Sequence, residues 1–141
     1  MKLLIDTNIV LDALMDRAPW ADFAQSILLA TAEGKAEGCI TASSLTDLHY
    51  ILRKHLGDSG KTRKALLALL VSVTVLDVSG VDCKKAFELP MDDFEDALLA
   101  CCAKRHRAEY IVTRDLKGFD GSPVRAIEPD VLLVKLKIQR R

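Results

Sequence analysis

Four aspartates, Asp6, Asp47, Asp96 and Asp115, are the side chains in this sequence whose type and placement suit chemistry. Asp6 closes the apolar run Lys2-Leu3-Leu4-Ile5, and Asp115 follows Tyr110-Ile111-Val112-Thr113, so both stand at the C-terminal ends of expected strands. Asp47 and Asp96 stand in the first turns of segments with a helical apolar stripe, which lead away from the same sheet edge. Ligands of open α/β sheets bind beyond the strand C-termini, where these four carboxylates converge. Gathered carboxylates raise one another's pKa unless a cation neutralises them, and an all-oxygen donor set suits Mg²⁺ or Mn²⁺. Two such ions deprotonate a water, aim it in line at a phosphodiester and stabilise the leaving oxygen.

Asp96 is the most telling of the four. One stripe of its helix reads Asp93, Asp96, Leu99, Ala100, Ala103, which sets an acid in line with core residues, and a core-facing carboxylate needs a partner. Asp92 and Glu95 have capping-box spacing, and Asp93 suits either a dipole complement or a side chain that orients a ligand. Asn8 and Thr113 are placed to hydrogen-bond the acids, and Arg114 to meet a substrate phosphate.

The elements that must position these residues alternate along the chain. Strands are expected over residues 2–5, 35–41, 73–78, 110–113 and, at an edge, 124–127. Helices are expected over residues 9–14, from a first turn at Pro19 to about residue 32, from a cap among residues 41–44, around Leu66 to Leu70, and over residues 79–89, 92–107 and 129–137. This alternation predicts a three-layer α/β/α sandwich around a central parallel sheet. The length, 141 residues, and an apolar half of the composition predict one domain over residues 1–141.

Composition narrows the function further. The chain is 28% charged, with no apolar run long enough for a membrane span, and Asp6 interrupts the stretch where a signal peptide would still be apolar. A cytoplasmic protein is expected. Cys39, Cys83, Cys101 and Cys102 form no C-x-x-C pair and read as reduced core residues, and His49, His55 and His106 share no metal-ligand spacing. Twenty basic residues balance twenty acidic ones, so a nucleic acid would have to be held by local patches. Lys61-Arg63-Lys64, Lys104-Arg105-His106-Arg107 and residues 135–141 are the basic candidates, although such runs are usually solvated helix faces.

Leu4-Ile5-Asp6-Thr7-Asn8, the helix start Ser43-Ser44-Leu45-Thr46-Asp47, Asp93-Phe94-Glu95-Asp96-Ala97-Leu98 and Ile111-Val112-Thr113-Arg114-Asp115 resemble, in order, the four motifs of the PIN-domain family, over about residues 1–130. The resemblance implies a metal-dependent endoribonuclease with Asp6, Asp47, Asp96 and Asp115 as its acidic site, and Asp6, Asp96 and Asp115 as the principal ligands of Mg²⁺ or Mn²⁺. Asp47 departs from the pattern, since many members carry Glu there, a side chain longer by one methylene. Bacterial members are often toxins inhibited by a small antitoxin protein, which implies an RNA substrate and an antitoxin partner. The apolar stretch 9–29, with Trp20 and Phe23, is a candidate homodimer seam.

Other functions fit less well. A haloacid-dehalogenase-type phosphatase has D-x-D after its first strand, and Asn8 stands where the second acid belongs. A receiver domain needs its phosphoacceptor and lysine in an order that Asp77 and Lys117 do not follow. A catalytically weak PIN-like module that binds RNA or protein is the alternative from another class. Any single one of these aspartates can be explained as a helix cap, so their joint pattern carries the reading.

Overall fold

The computed structural model describes residues 1–137, and the expected basic tail beyond residue 137 lies outside the described residues. Five strands form one sheet: β1 (Lys2–Ile5), β2 (Glu37–Thr41), β3 (Val73–Leu76), β4 (Tyr110–Val112) and β5 (Ala126–Ile127). Every pairing is parallel, in the order β3-β2-β1-β4-β5. Parallel neighbours require crossovers, supplied by α1 (Thr7–Leu14) and α2 (Ala21–Ala32), α3 (Ala42–Leu56) and α4 (Ser59–Ser72), and α5 (Gly80–Ala86) and α6 (Phe94–Arg105), with a short 3-10 turn (Lys117–Phe119) between β4 and β5; α7 (Pro129–Leu136) follows the last strand.

The three-layer α/β/α arrangement follows from strand alternation. Leu3 and Ile5 point into one core, with residues of α1, α2, α3, α4 and α7, while Leu4 points into the other, with Leu99, Ala100, Cys102 and Ala103 of α6. β1 is buried almost throughout because helices cover both faces of it. Gly38 of β2 permits a close approach to α2, since a Cβ there would lie 2.5 Å from Thr31 Cγ2. Cys39, Cys101 and Cys102 are buried free thiols, as expected, and Cys83 is half-buried. Burial pushes the Cys102 thiol up to about 11, which keeps it protonated.

Two local expectations need correction. Pro19 precedes α2 instead of starting it, because Trp20 occupies the cap position. The cap of α6 is Asp93, whose carboxylate accepts the Asp96 N–H at 3.0 Å, and not the Asp92/Glu95 capping box. A true capping box opens α5 instead, where Ser79 and Asp82 bond reciprocally. Among the described residues, no helix is long and apolar enough to cross a membrane.

Candidate metal centre

Asp6 sits where β1 ends and α1 begins, and only 8% of it is exposed. Its Oδ1 accepts the Thr7 N–H at 2.7 Å and its Oδ2 accepts the Thr113 hydroxyl at 2.8 Å. That hydroxyl in turn accepts the Asp115 N–H at 3.0 Å and the Asn8 amide at 3.4 Å. One threonine at the end of β4 therefore ties the Asp6 side chain to the backbone that carries Asp115. Thr113 hydrogen-bonds an acid as expected, whereas Asn8 reaches only Thr113 and none of the carboxylates.

Asp96 reaches the same edge from the first turn of α6, and it lines a cleft of about 390 Å³ together with Asp6, Ser43, Ser44, Asp47 and Glu95. A second cleft, lined by Asp93, Asp96, Asp115, Lys117 and Gly118, meets the first at Asp96. Gly118 is where Asp96 and Asp115 converge: a Cβ there would lie 2.5 Å from Asp115 Oδ2 and 2.9 Å from Asp96 Oδ2. The Gly118 N–H also donates to Asp115 Oδ1 at 3.1 Å. The fold thus brings all four aspartates to the C-terminal edge of the sheet, with Asp47 on the exposed wall of the first cleft.

The electrostatics are those of negative charge gathered without a built-in counterion. Burial raises the Asp6 pKa against the lowering effect of Thr113 and Thr7. Burial also pushes Asp96 up to about 7, with further contributions from Asp6, Asp93 and Asp115. Glu95 is raised, chiefly by the neighbouring Asp47 carboxylate. Among the described residues, no three such side chains already stand close enough to grip an ion. Asp6 and Asp115 instead rest on backbone amides, those of Thr7 and Gly118.

The donor set nevertheless fits a hard divalent cation. It is all oxygen, burial and like charge push Asp6 and Asp96 toward the neutral form, and Gly118 leaves room for two carboxylates to approach. A hydrated ion would satisfy each of these features.

Sequence reasoning placed three residues differently. Arg114 does not face the clefts: its Nε lies 2.6 Å from Asp12 Oδ2, in an ion pair with a carboxylate that is completely buried. Lys117 lines the second cleft in its place. Glu95, expected in a cap, is a wall of the first cleft, and its position one residue before Asp96 was the only sequence signal for that.

A family model described as the PIN domain matches residues 2–117. No curated protein matches the sequence significantly. Several solved structures share the fold. VapBC2 from Rickettsia felis, bound to a DNA fragment from its promoter, superposes with a TM-score of 0.72 at 21% identity, over 91% of this chain and 98% of that one. A toxin–antitoxin complex from Klebsiella pneumoniae gives 0.66 at 23% identity, covering 90% and 97%. DNA-bound VapBC from Salmonella typhimurium gives 0.69 at 19% identity, covering 92% and 98%.

Proposed function

The chain belongs to the PIN domain family, and from that premise we propose that it is a metal-dependent endoribonuclease acting as the toxin of a toxin–antitoxin pair. The observation that carries the nuclease reading is the convergence of Asp96 and Asp115 on the gap kept open by Gly118, beside the buried Asp6. Asp6, Asp96 and Asp115 would hold Mg²⁺ or Mn²⁺, with Asp47 and Glu95 on the facing wall. When bound there, such ions would lower the pKa of a water and offset charge on a leaving oxygen.

The chain's own residues do the rest. Thr113 and the Thr7 amide hold the two oxygens of the Asp6 carboxylate, and Asn8 in turn bonds Thr113. Asp93, by capping α6, fixes the turn that carries Asp96. Asp96 binds an ion as the carboxylate, so proton and ion compete for it and ion binding should weaken as pH falls. Lys117, in the second cleft, is offered to an RNA phosphate.

The partners follow from the same reading. A protein of this fold from Klebsiella pneumoniae was solved as a toxin–antitoxin complex, which supports an antitoxin partner here; that the partner is small follows from the family resemblance, and a homodimeric toxin is proposed from the apolar stretch 9–29 and not from that structure. The test is cleavage of a labelled structured RNA by pure protein in Mg²⁺, Mn²⁺ or EDTA, beside Asp96→Asn. Metal-dependent cutting lost in the variant is expected. Binding of RNA without cutting under any of these conditions would favour the binding-module alternative.

A further inference from the structure

On the far side of Arg114 from the acids lies a smaller cleft of about 240 Å³, lined by Trp20, Phe23, Arg114, Glu128, Pro129 and Asp130. It opens at the same C-terminal edge of the sheet, because Arg114 follows β4 and Glu128 follows β5. Its wall is preorganised. The Arg114 guanidinium stacks on the Trp20 ring, with Cζ 3.8 Å from the centroid, and is itself held by Asp12 through Nε and a second nitrogen at 3.2 Å. The indole is thereby fixed, yet 41% of Trp20 and 47% of Phe23 remain exposed.

The floor is acidic. Glu128 stands at the cap position of α7 without making a capping hydrogen bond, and neither it nor Asp130 forms an ion pair among the described residues. These carboxylates repel a phosphate, and a seam between two copies would bury them without partners. An aromatic wall over a hydrogen-bond-accepting floor suits a flat ring that presents donors along one edge. The volume falls below the ~300 Å³ at which pockets for drug-sized ligands begin, so it suits one ring system and not a whole nucleotide.

We propose that this cleft holds an unpaired guanine of the RNA, stacked on Trp20, with its N1–H and N2–H donating to the Glu128 carboxylate. Guanine alone among the four bases offers two adjacent donors on its Watson–Crick edge, and a carboxylate accepts both at once. The inference rests on the RNA-cleaving reading, since it names the base that the substrate places beside the acidic site.

Trp20 is the single tryptophan of the chain, so its emission reports the cleft directly. The probe is a pair of unstructured hexaribonucleotides, one with a central guanine and one of uridine only, titrated in Mg²⁺ into Asp96→Asn protein, with free GMP as a third arm. Saturable quenching by the guanine oligonucleotide, at roughly tenfold lower concentration than by the uridine one, is expected. Asp96→Asn/Glu128→Gln should lose that preference, and Asp96→Asn/Trp20→Leu should bind a fluorescein-labelled guanine oligonucleotide about tenfold more weakly by anisotropy. Equal quenching by both oligonucleotides, or by GMP as readily as by RNA, would overturn the assignment. So would an emission change on raising the protein concentration without RNA, which would place the ring in a seam between two copies. Metal-dependent cleavage by wild type without guanine-selective quenching would sink this inference alone, whereas selective quenching without cleavage would sink the nuclease reading and leave the cleft.

Discussion

Asp12 and Asp96 are both helix-borne aspartates within one fold, and only one of them has cations of the chain against it. Asp12 of α1 is completely buried, and two cations of the chain stand against it: Arg114 Nε at 2.6 Å and Arg17 Nε at 2.9 Å. The Arg17 contact is an ion pair only, since that nitrogen makes no hydrogen bond of acceptable direction. Asp96 is less buried, forms no ion pair among the described residues, and has its pKa pushed to about 7 by burial and by Asp6, Asp93 and Asp115. The fold can therefore neutralise an acid where it needs to, and at the sheet edge it leaves the neutralisation to something from outside. Buried charge with an internal partner is architecture, and gathered charge without one is a place for a cation.

Breaking the internally paired member should cost the most stability. Asp12→Ala leaves two arginines facing a vacated, water-poor site and is expected to destabilise the fold by about 3–5 kcal/mol, read as a lower urea midpoint with unchanged slope. A loss within the ordinary surface range of ~0.5 kcal/mol would mean that the pair is not a structural anchor.

Gly118→Ala sharpens the other side. Its methyl would press on the movable ends of Asp96 and Asp115, not on backbone, so the fold should persist while the carboxylates shift. A drop in Mn²⁺ affinity of roughly 10–100-fold, the usual cost of disturbing what orients ligands, is expected with little change in melting temperature. Thr113→Val should fall at the lower end of that range, because Asp6 keeps its bond to the Thr7 amide.

A further expected effect is the pH dependence of metal-free stability. Asp96 has a folded pKa above its ordinary 3.8, so the folded state holds the extra proton and stability falls as pH rises from there to about 7. Asparagine imitates the protonated acid. Metal-free wild type and Asp96→Asn should thus melt alike at pH 4, whereas the variant should melt higher at pH 8, and saturating Mn²⁺ should reverse the order. Parallel melting curves across the range would show that Asp96 carries no such strain.

Much of this was legible in the sequence, and what was not has a common cause. Asp6 and Asp115 could be placed because a short apolar run ending in a polar turn fixes a strand end locally, and the strands were found close to residues 2–5 and 110–113. The cap of α6 was misread because Asp92/Glu95 and Asp93/Asp96 share one spacing, and the path of the chain after Pro90 decides between them. Arg114 looked free for a phosphate because its partner, Asp12, lies 102 residues earlier on a helix that otherwise reads as apolar. Glu95 was absorbed into that cap, while its place near Asp47 depends on how the starts of α3 and α6, on opposite faces of the sheet, meet at its C-terminal edge. Local pattern located the acids, and only the tertiary fold showed which of them already had a cation.

The most direct test is a calorimetric titration of Mn²⁺ at pH 8 into wild type and Asp96→Asn. The account predicts saturable binding to wild type that the variant weakens by at least about tenfold, with both proteins equally folded by circular dichroism. No binding to wild type, or equal binding to both, would contradict the claim that the uncompensated carboxylates at this sheet edge are a metal centre.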